Sequence, residues 1–190
     1  MNIESEKKLM RRVQGYHDLR MDGMTDLVIR ARGCSVMDIG CNRGLVGFEM
    51  ANNGATAVHG CDNYEEGIGH ARQLFADLRN VESQFECVDL TRGPKALSKF
   101  GGRSYDIVLM LATYHKLKRI MSDDALADLM GYFGTITTKW FAWRGTSEKI
   151  SDNESEMTAL DKVLRGCKLR RVHTSYLSHT LGVAAIWERM

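Results

Sequence analysis

Three aspartates stand at or beside the far end of short apolar runs: Asp38 in "SVMDIG", Asp62 in "TAVHGCD" and Asp89 in "SQFECVDL". Ionised carboxylates accept hydrogen bonds and repel anions, so the trio suits a ligand with hydroxyls, an ammonium or another cationic centre. Gly40 and Gly44 frame the stretch after Asp38 and let the backbone turn sharply and approach a ligand closely. A dinucleotide fingerprint requires G-x-G-x-x-G with a pyrophosphate on the following helix N-terminus. Here Asn42 and Leu45 occupy the second and third glycine positions, and Asp38 adds negative charge beside the loop. The dinucleotide reading fails on both counts. Farther along, "LATYHKLKR" (111–119) presents Tyr114 and His115 directly after the most hydrophobic run of the chain. An imidazole, with an unperturbed pKa of about 6.5, suits a general base at neutral pH.

These residues need a scaffold that brings run ends together, and the pattern of the chain supplies one. "SVMDI" (35–39), 56–62, 83–90, "SYDIVLML" (104–111) and 136–144 read as strands, the fourth apolar enough to be covered on both faces. Helical spacing fills 45–54, 65–79, 122–133 and 151–166. Ser122 is placed to cap the third of these, and Ser151 with Glu154 has capping-box spacing at the start of the fourth. The last two strand-like runs are separated only by "HTLG", which predicts a hairpin. Alternating strands and helices predict an α/β fold: a doubly wound, mostly parallel seven-stranded sheet with helices on both faces and a C-terminal antiparallel β-hairpin. In such a sheet ligands bind at the carboxyl ends of the strands, near the reversal of strand order. The chain reads as one domain over 1–190, with an N-terminal helical segment (1–32) ahead of a Rossmann-like core (33–190).

Bulk properties exclude several classes. A formal net charge of +2 neither demands nor excludes a polyanionic partner. No apolar run approaches the roughly 20 residues that span a bilayer, so no membrane partner is expected. The N-terminal residues have no apolar core of a signal peptide. Five cysteines form no C-x-x-C pair, which points to a reducing cytoplasm and away from a metal site.

The combination "VMDIGCNRG…HGCDN…ECVDL…YDIVLMLATYHKL" resembles the class I S-adenosylmethionine-dependent methyltransferase family, from about residue 33 onward. The resemblance implies S-adenosyl-L-methionine as cofactor. It places the methionine part against Asp38, Gly40, Cys41, Asn42 and Gly44, and the ribose on Asp62 with Asn63 beside it. The adenine would lie by Asp89 and Leu90, with Leu111 ending the fourth strand under the site. It also implies methyl transfer to an O or N atom of an acceptor met after strands four and five. There His115 is a base, a pocket wall or a purely structural histidine, and Tyr114 hydrogen-bonds or stacks on an acceptor or is a half-buried aromatic covering the loop. Trp143 and Arg144 are candidates for acceptor binding, Arg144 through a carboxylate or phosphate. Glu148 follows them; for Arg144 a surface role at a strand end is at least an equal reading, and for His173, Tyr176 and His179 in the hairpin an exposed sheet position is the leading one.

Methyl transfer to a small molecule is the leading reading, with RNA methylation of the tRNA wobble-uridine type and a non-catalytic cofactor-binding module as the alternatives. The basic runs 6–12 and 165–171 suit phosphates or simply solvent. Little of this short chain is left to cap the acceptor side, which leaves that task to the N-terminal segment or to a second subunit in a homodimer.

Overall fold

The computed structural model describes residues 21–176 and 182–190. The basic run 6–12, most of the N-terminal segment and His179 lie outside the described residues. Within them the elements are α1 (Thr25–Ile29), β1 (Ser35–Ile39), α2 (Leu45–Asn52), β2 (Ala57–Asp62), α3 (Glu65–Phe75) and β3 (Glu82–Cys87). A kinked 3-10 segment (Leu90–Phe100) leads to β4 (Tyr105–Leu111), α4 (Tyr114–Lys118), α5 (Asp123–Ile136) and β5 (Thr137–Gly145). The chain ends in α6 (Ile150–Gly166), β6 (Leu169–Tyr176) and β7 (Val183–Arg189).

The strands form one sheet in the order β3-β2-β1-β4-β5-β7-β6. The five from β1 to β5 are parallel, and β7 runs antiparallel to both β5 and β6. Strand order reverses between β1 and β4, so the crevice expected of a doubly wound sheet opens above those two strands.

Alternation along β4 shows why the sheet is covered twice. Ile107, Leu109 and Leu111 pack under α1, α2 and α3 together with Val36, Val58 and Ile68. Val108 and Met110 face the opposite way, into a cluster with Phe133, Phe141, Leu160 and Trp187 under α5 and α6. A register shift between Tyr105 and Ile107 places Tyr105 on that second face too.

Several local expectations change. The third strand stops at Cys87 rather than running to Leu90, because Asp89 accepts the Thr91 N–H and caps the 3-10 segment. Ser122 does cap α5, through the Ala125 N–H at 3.3 Å. The capping box at Ser151 is absent: α6 begins one residue earlier, with Lys149 as its uncapped N-cap. The preceding loop is instead tied by Asn153, whose amide donates to the Ser147 carbonyl at 2.9 Å and whose Oδ1 accepts the Ser147 N–H.

Candidate active site

The loop from β1 to α2 curls because three of its residues are left-handed: Gly40 (φ +78°), Asn42 (φ +51°) and Gly44 (φ +75°). Asparagine is among the few non-glycine residues that adopt this region readily, which accounts for Asn42 where a glycine was looked for. The Gly40 and Cys41 N–H groups both donate to the Cys61 carbonyl, at 2.8 and 3.0 Å, fastening the loop to the end of β2. Gly44 must be a glycine for a second reason. A Cβ there would come within 2.9 Å of Ala71 Cβ on α3.

Asp62, ending β2, holds two loops at once. Its Oδ2 accepts the Asn42 N–H at 2.9 Å and its Oδ1 the Tyr64 N–H at 3.0 Å. Each oxygen keeps a second lone pair, so the carboxylate can still accept from a ligand. Asp89 spends Oδ1 on the Thr91 N–H and O–H, at 3.0 and 2.7 Å, and these bonds hold its carboxyl below the usual carboxylate range. Both acids line one cleft with Gly40, Asn63, Leu90 and Thr113, enclosing about 470 Å³ including its open mouth. Two anionic acceptors beside apolar Val88, Leu117 and Ile120 suit a ligand with vicinal hydroxyls and a flat heterocycle, as S-adenosylmethionine has. The residues present fit that group.

The other residues implied for the cofactor stand behind this lining. Asp38 is 3% exposed and lies beneath the loop, near Gly47 in the first turn of α2. Cys41 is buried, and burial pushes its thiol far above the ordinary range, so it is no nucleophile. Leu111 is buried at the end of β4.

Sequence reasoning missed Thr113, Lys116, Leu117 and Ile120, which reach the cleft from α4 and its ends. Their spacing (i, i+3, i+4, i+7) is one face of a helix, so the signal was in "TYHKLKRI" itself. The opposite face carries His115, Lys118 and Arg119 into a separate cleft, shared with Ser147, Asp152 and Glu156. Helix α4 is therefore a wall between two clefts, the first over β1, β2 and β4 and the second by the β5–α6 loop. Burial together with Lys116 and Arg119 lowers the His115 pKa, keeping its imidazole neutral at pH 7.

Two acceptor-side assignments need correction. Tyr114 points into the hydrophobic core, where burial pushes its phenol up to about 12, because its position on α4 is out of phase with both clefts. Trp143 is 0% exposed and belongs to the same core, since it lies on the sheet face that α5 and α6 cover. Arg144 is 5% exposed and lines neither cleft; it donates to the Asp22 carbonyl at 3.4 Å while its own carbonyl accepts the Ala112 N–H. Glu148, His173 and Tyr176 are exposed. Among the described residues there is no group of side chains suited to a metal ion, and no helix is long and apolar enough to cross a membrane.

Residues 36–131, half of the chain, match the family model of a methyltransferase domain. An 89-residue stretch is 36% identical to the ubiquinone biosynthesis O-methyltransferase of Neisseria meningitidis serogroup C, covering 46% of this chain and 34% of that protein. The serogroup A protein of the same name is 35% identical over 89 residues, with the same coverage. The chain thus matches about a third of the length of these curated relatives. Among solved structures, magnesium protoporphyrin IX methyltransferase from Synechocystis PCC 6803 aligns with a TM-score of 0.68 at 18% identity, over 94% of this chain and 82% of that one. The N-methyltransferase NodS from Bradyrhizobium japonicum aligns at 0.62 and 12% identity, over 86% and 93%. The structural likenesses establish the fold, and with the family match they have one conclusion: the chain belongs to the methyltransferase-domain family, the class I S-adenosylmethionine-dependent methyltransferases.

Proposed function

We propose that this protein transfers a methyl group from S-adenosylmethionine to an oxygen or nitrogen of a small-molecule acceptor. The observation that carries the reading is Asp62, a strand-end carboxylate fixed by two backbone N–H groups at the edge of the cleft beside the strand-order reversal. Bound in that cleft, the cofactor supplies a methyl on a sulfonium, an electrophile whose leaving group is a neutral thioether.

The chain's own residues do the rest. Asp62 accepts ribose hydroxyls, Asp89 lies by the base with Leu90, and Gly40 lets the loop backbone approach the methionine part. Positioning an acceptor against the methyl supplies much of the acceleration in a reaction of this type. His115, neutral and with its Nδ1 taking no hydrogen-bond partner among the described residues, can take a proton from a molecule in the cleft it lines, across α4 from the cofactor lining. The relatives' names, an O-methyltransferase of ubiquinone biosynthesis and a methyltransferase of magnesium protoporphyrin IX, support a small molecule as acceptor.

Titration calorimetry with S-adenosylhomocysteine tests the cofactor, and absence of binding would end this reading. Incubation of a fractionated cell extract with labelled S-adenosylmethionine tests the acceptor. Label should enter a low-mass, RNase-resistant product; an RNase-sensitive product would place the methyl on RNA. Binding without any labelled product would leave a non-catalytic module.

A further inference from the structure

The cleft on the far side of α4 contains an anomaly that the cofactor site does not explain. Glu156 sits on the inward face of α6 with Asn153, Met157, Leu160 and Leu164, a position that helices normally give to apolar residues. Its side chain is 5% exposed, and its Oε2 is buried with no hydrogen-bond partner among the described residues. Such a carboxyl destabilises the fold unless something else uses it. Facing the same space is His115, whose Nδ1 is buried and equally unpartnered. Lys118 and Arg119 stand exposed at the rim and make no ion pair among the described residues. The space, about 870 Å³ with its open mouth, is ample for a single-ring molecule.

The charges narrow what could enter. Glu156 and His115 offer acceptor atoms at the floor, so the deep end of the ligand must donate a hydrogen bond. Of the charged groups that act on Glu156, Lys118 and Arg119 stand against one carboxylate, Asp152, whose Oδ2 already accepts the Ser147 hydroxyl, so the balance disfavours an ammonium there and favours a neutral hydroxyl. The same cations draw an anionic substituent to the mouth.

We propose that this cleft is a small-molecule site separate from the cofactor cleft and takes a small hydroxylated carboxylic acid, its hydroxyl on Glu156 and its carboxylate toward Lys118 and Arg119. Glu156 is then a binding residue kept at the expense of stability, and the ligand's hydroxyl supplies the hydrogen-bond partner that Oε2 lacks among the described residues. Ser147 does not compete for the ligand, since its hydroxyl already donates to Asp152 at 2.9 Å.

The test uses 4-hydroxybenzoate as probe, with benzoate and phenol as controls lacking the hydroxyl or the anion, titrated into the full chain saturated with S-adenosylhomocysteine. The probe should bind more tightly than either control. Glu156→Leu should weaken it by about tenfold or more, as should Lys118→Ala with Arg119→Ala, whereas Glu156→Gln, which keeps an acceptor oxygen, should retain most of the affinity. Affinity for S-adenosylhomocysteine should be unchanged in all of them. Without any ligand, Glu156→Leu should melt at a higher temperature than the wild type. The proposal is overturned if 4-hydroxybenzoate does not bind, if benzoate binds equally well, if Glu156→Leu leaves probe binding intact, or if that variant melts lower. Failure of S-adenosylhomocysteine to bind would sink the cofactor reading instead, and the same probe titrations on the unliganded chain would still decide this site.

Discussion

Because Asp62 accepts the Asn42 and Tyr64 N–H groups through separate oxygens, its removal would strip a ligand contact and also release two loops. Asp62→Ala should therefore weaken S-adenosylhomocysteine by about 10- to 100-fold, reflecting the loss of one or two charge-assisted hydrogen bonds. Calorimetry measures this, and an unchanged affinity would remove Asp62 from the ribose site. Gly40 is constrained differently. Its left-handed φ already disfavours a side chain, and a Cβ would collide with the Thr113 hydroxyl, which is itself held near the Ile39 and Leu111 carbonyls. Gly40→Ala should cost about 2–3 kcal/mol in urea unfolding and abolish cofactor binding, since either the loop or Thr113 must move. That Asp62, Asp89 and Gly40 come together at one cleft was legible because strand ends and glycines are strong signals, whereas nothing in the pattern told that Asp38 lies buried beneath the loop. The inward Glu156 was not read from the sequence: its phase matches Leu160 and Leu164, but a charged residue in an acidic stretch is naturally assigned to a solvated face.

At the scale of elements, the longest periodic segments were the readable ones. β1 was placed at its observed bounds, and α6 within a residue. What escaped was α4: the helical spacing of Thr113, Lys116, Leu117 and Ile120 is present but spans barely two turns, and its role as a partition depends on what lies on either side of it. Tyr114 and Trp143 were misassigned for a related reason, as proximity to a strand end in sequence does not say which way a side chain points. The C-terminal hairpin is pinned by Arg189, whose guanidinium donates to the Cys167 carbonyl at 2.6 Å, the Gly134 carbonyl at 2.8 Å and the Thr137 carbonyl. Those acceptors lie at the ends of α5 and α6, where helix dipoles are negative and carbonyls lack partners. Arg189→Leu should lower stability by about 3 kcal/mol, read as an earlier midpoint in urea, without altering the affinity for S-adenosylhomocysteine.

For the whole molecule, two buried titrating groups set opposing slopes of stability against pH. Burial raises the Glu156 carboxyl from 4.5 to about 6, so its contribution is fully present below about 4.5 and is lost as pH rises through about 6. His59 is buried between Phe100 and Tyr105, its Nδ1 2.8 Å from the Tyr105 hydroxyl, and desolvation lowers its pKa despite the nearby Glu82. Its contribution is present above about 6.5 and is lost as pH falls through its lowered folded value. Comparing wild type with Glu156→Leu cancels the histidine. The variant's advantage in urea unfolding should be about 2 kcal/mol larger at pH 7.5 than at pH 4.5, and a difference independent of pH would show that Glu156 is not desolvated.

The strand order also bears on how the sheet is assembled. β7 follows β6 in the chain but lies between it and β5, so β6 has no sheet neighbour until β7 exists. The parallel half can form from strands met in sequence, whereas this flank must wait for a segment made later and inserted into the middle. Until then β5 carries an open row of backbone donors and acceptors above Phe141 and Trp143, a surface on which a second nascent chain could pair as readily as the proper strand. The placement that gives the finished sheet its well-buried β7 therefore puts the hazard of misassembly in the interval before that strand arrives.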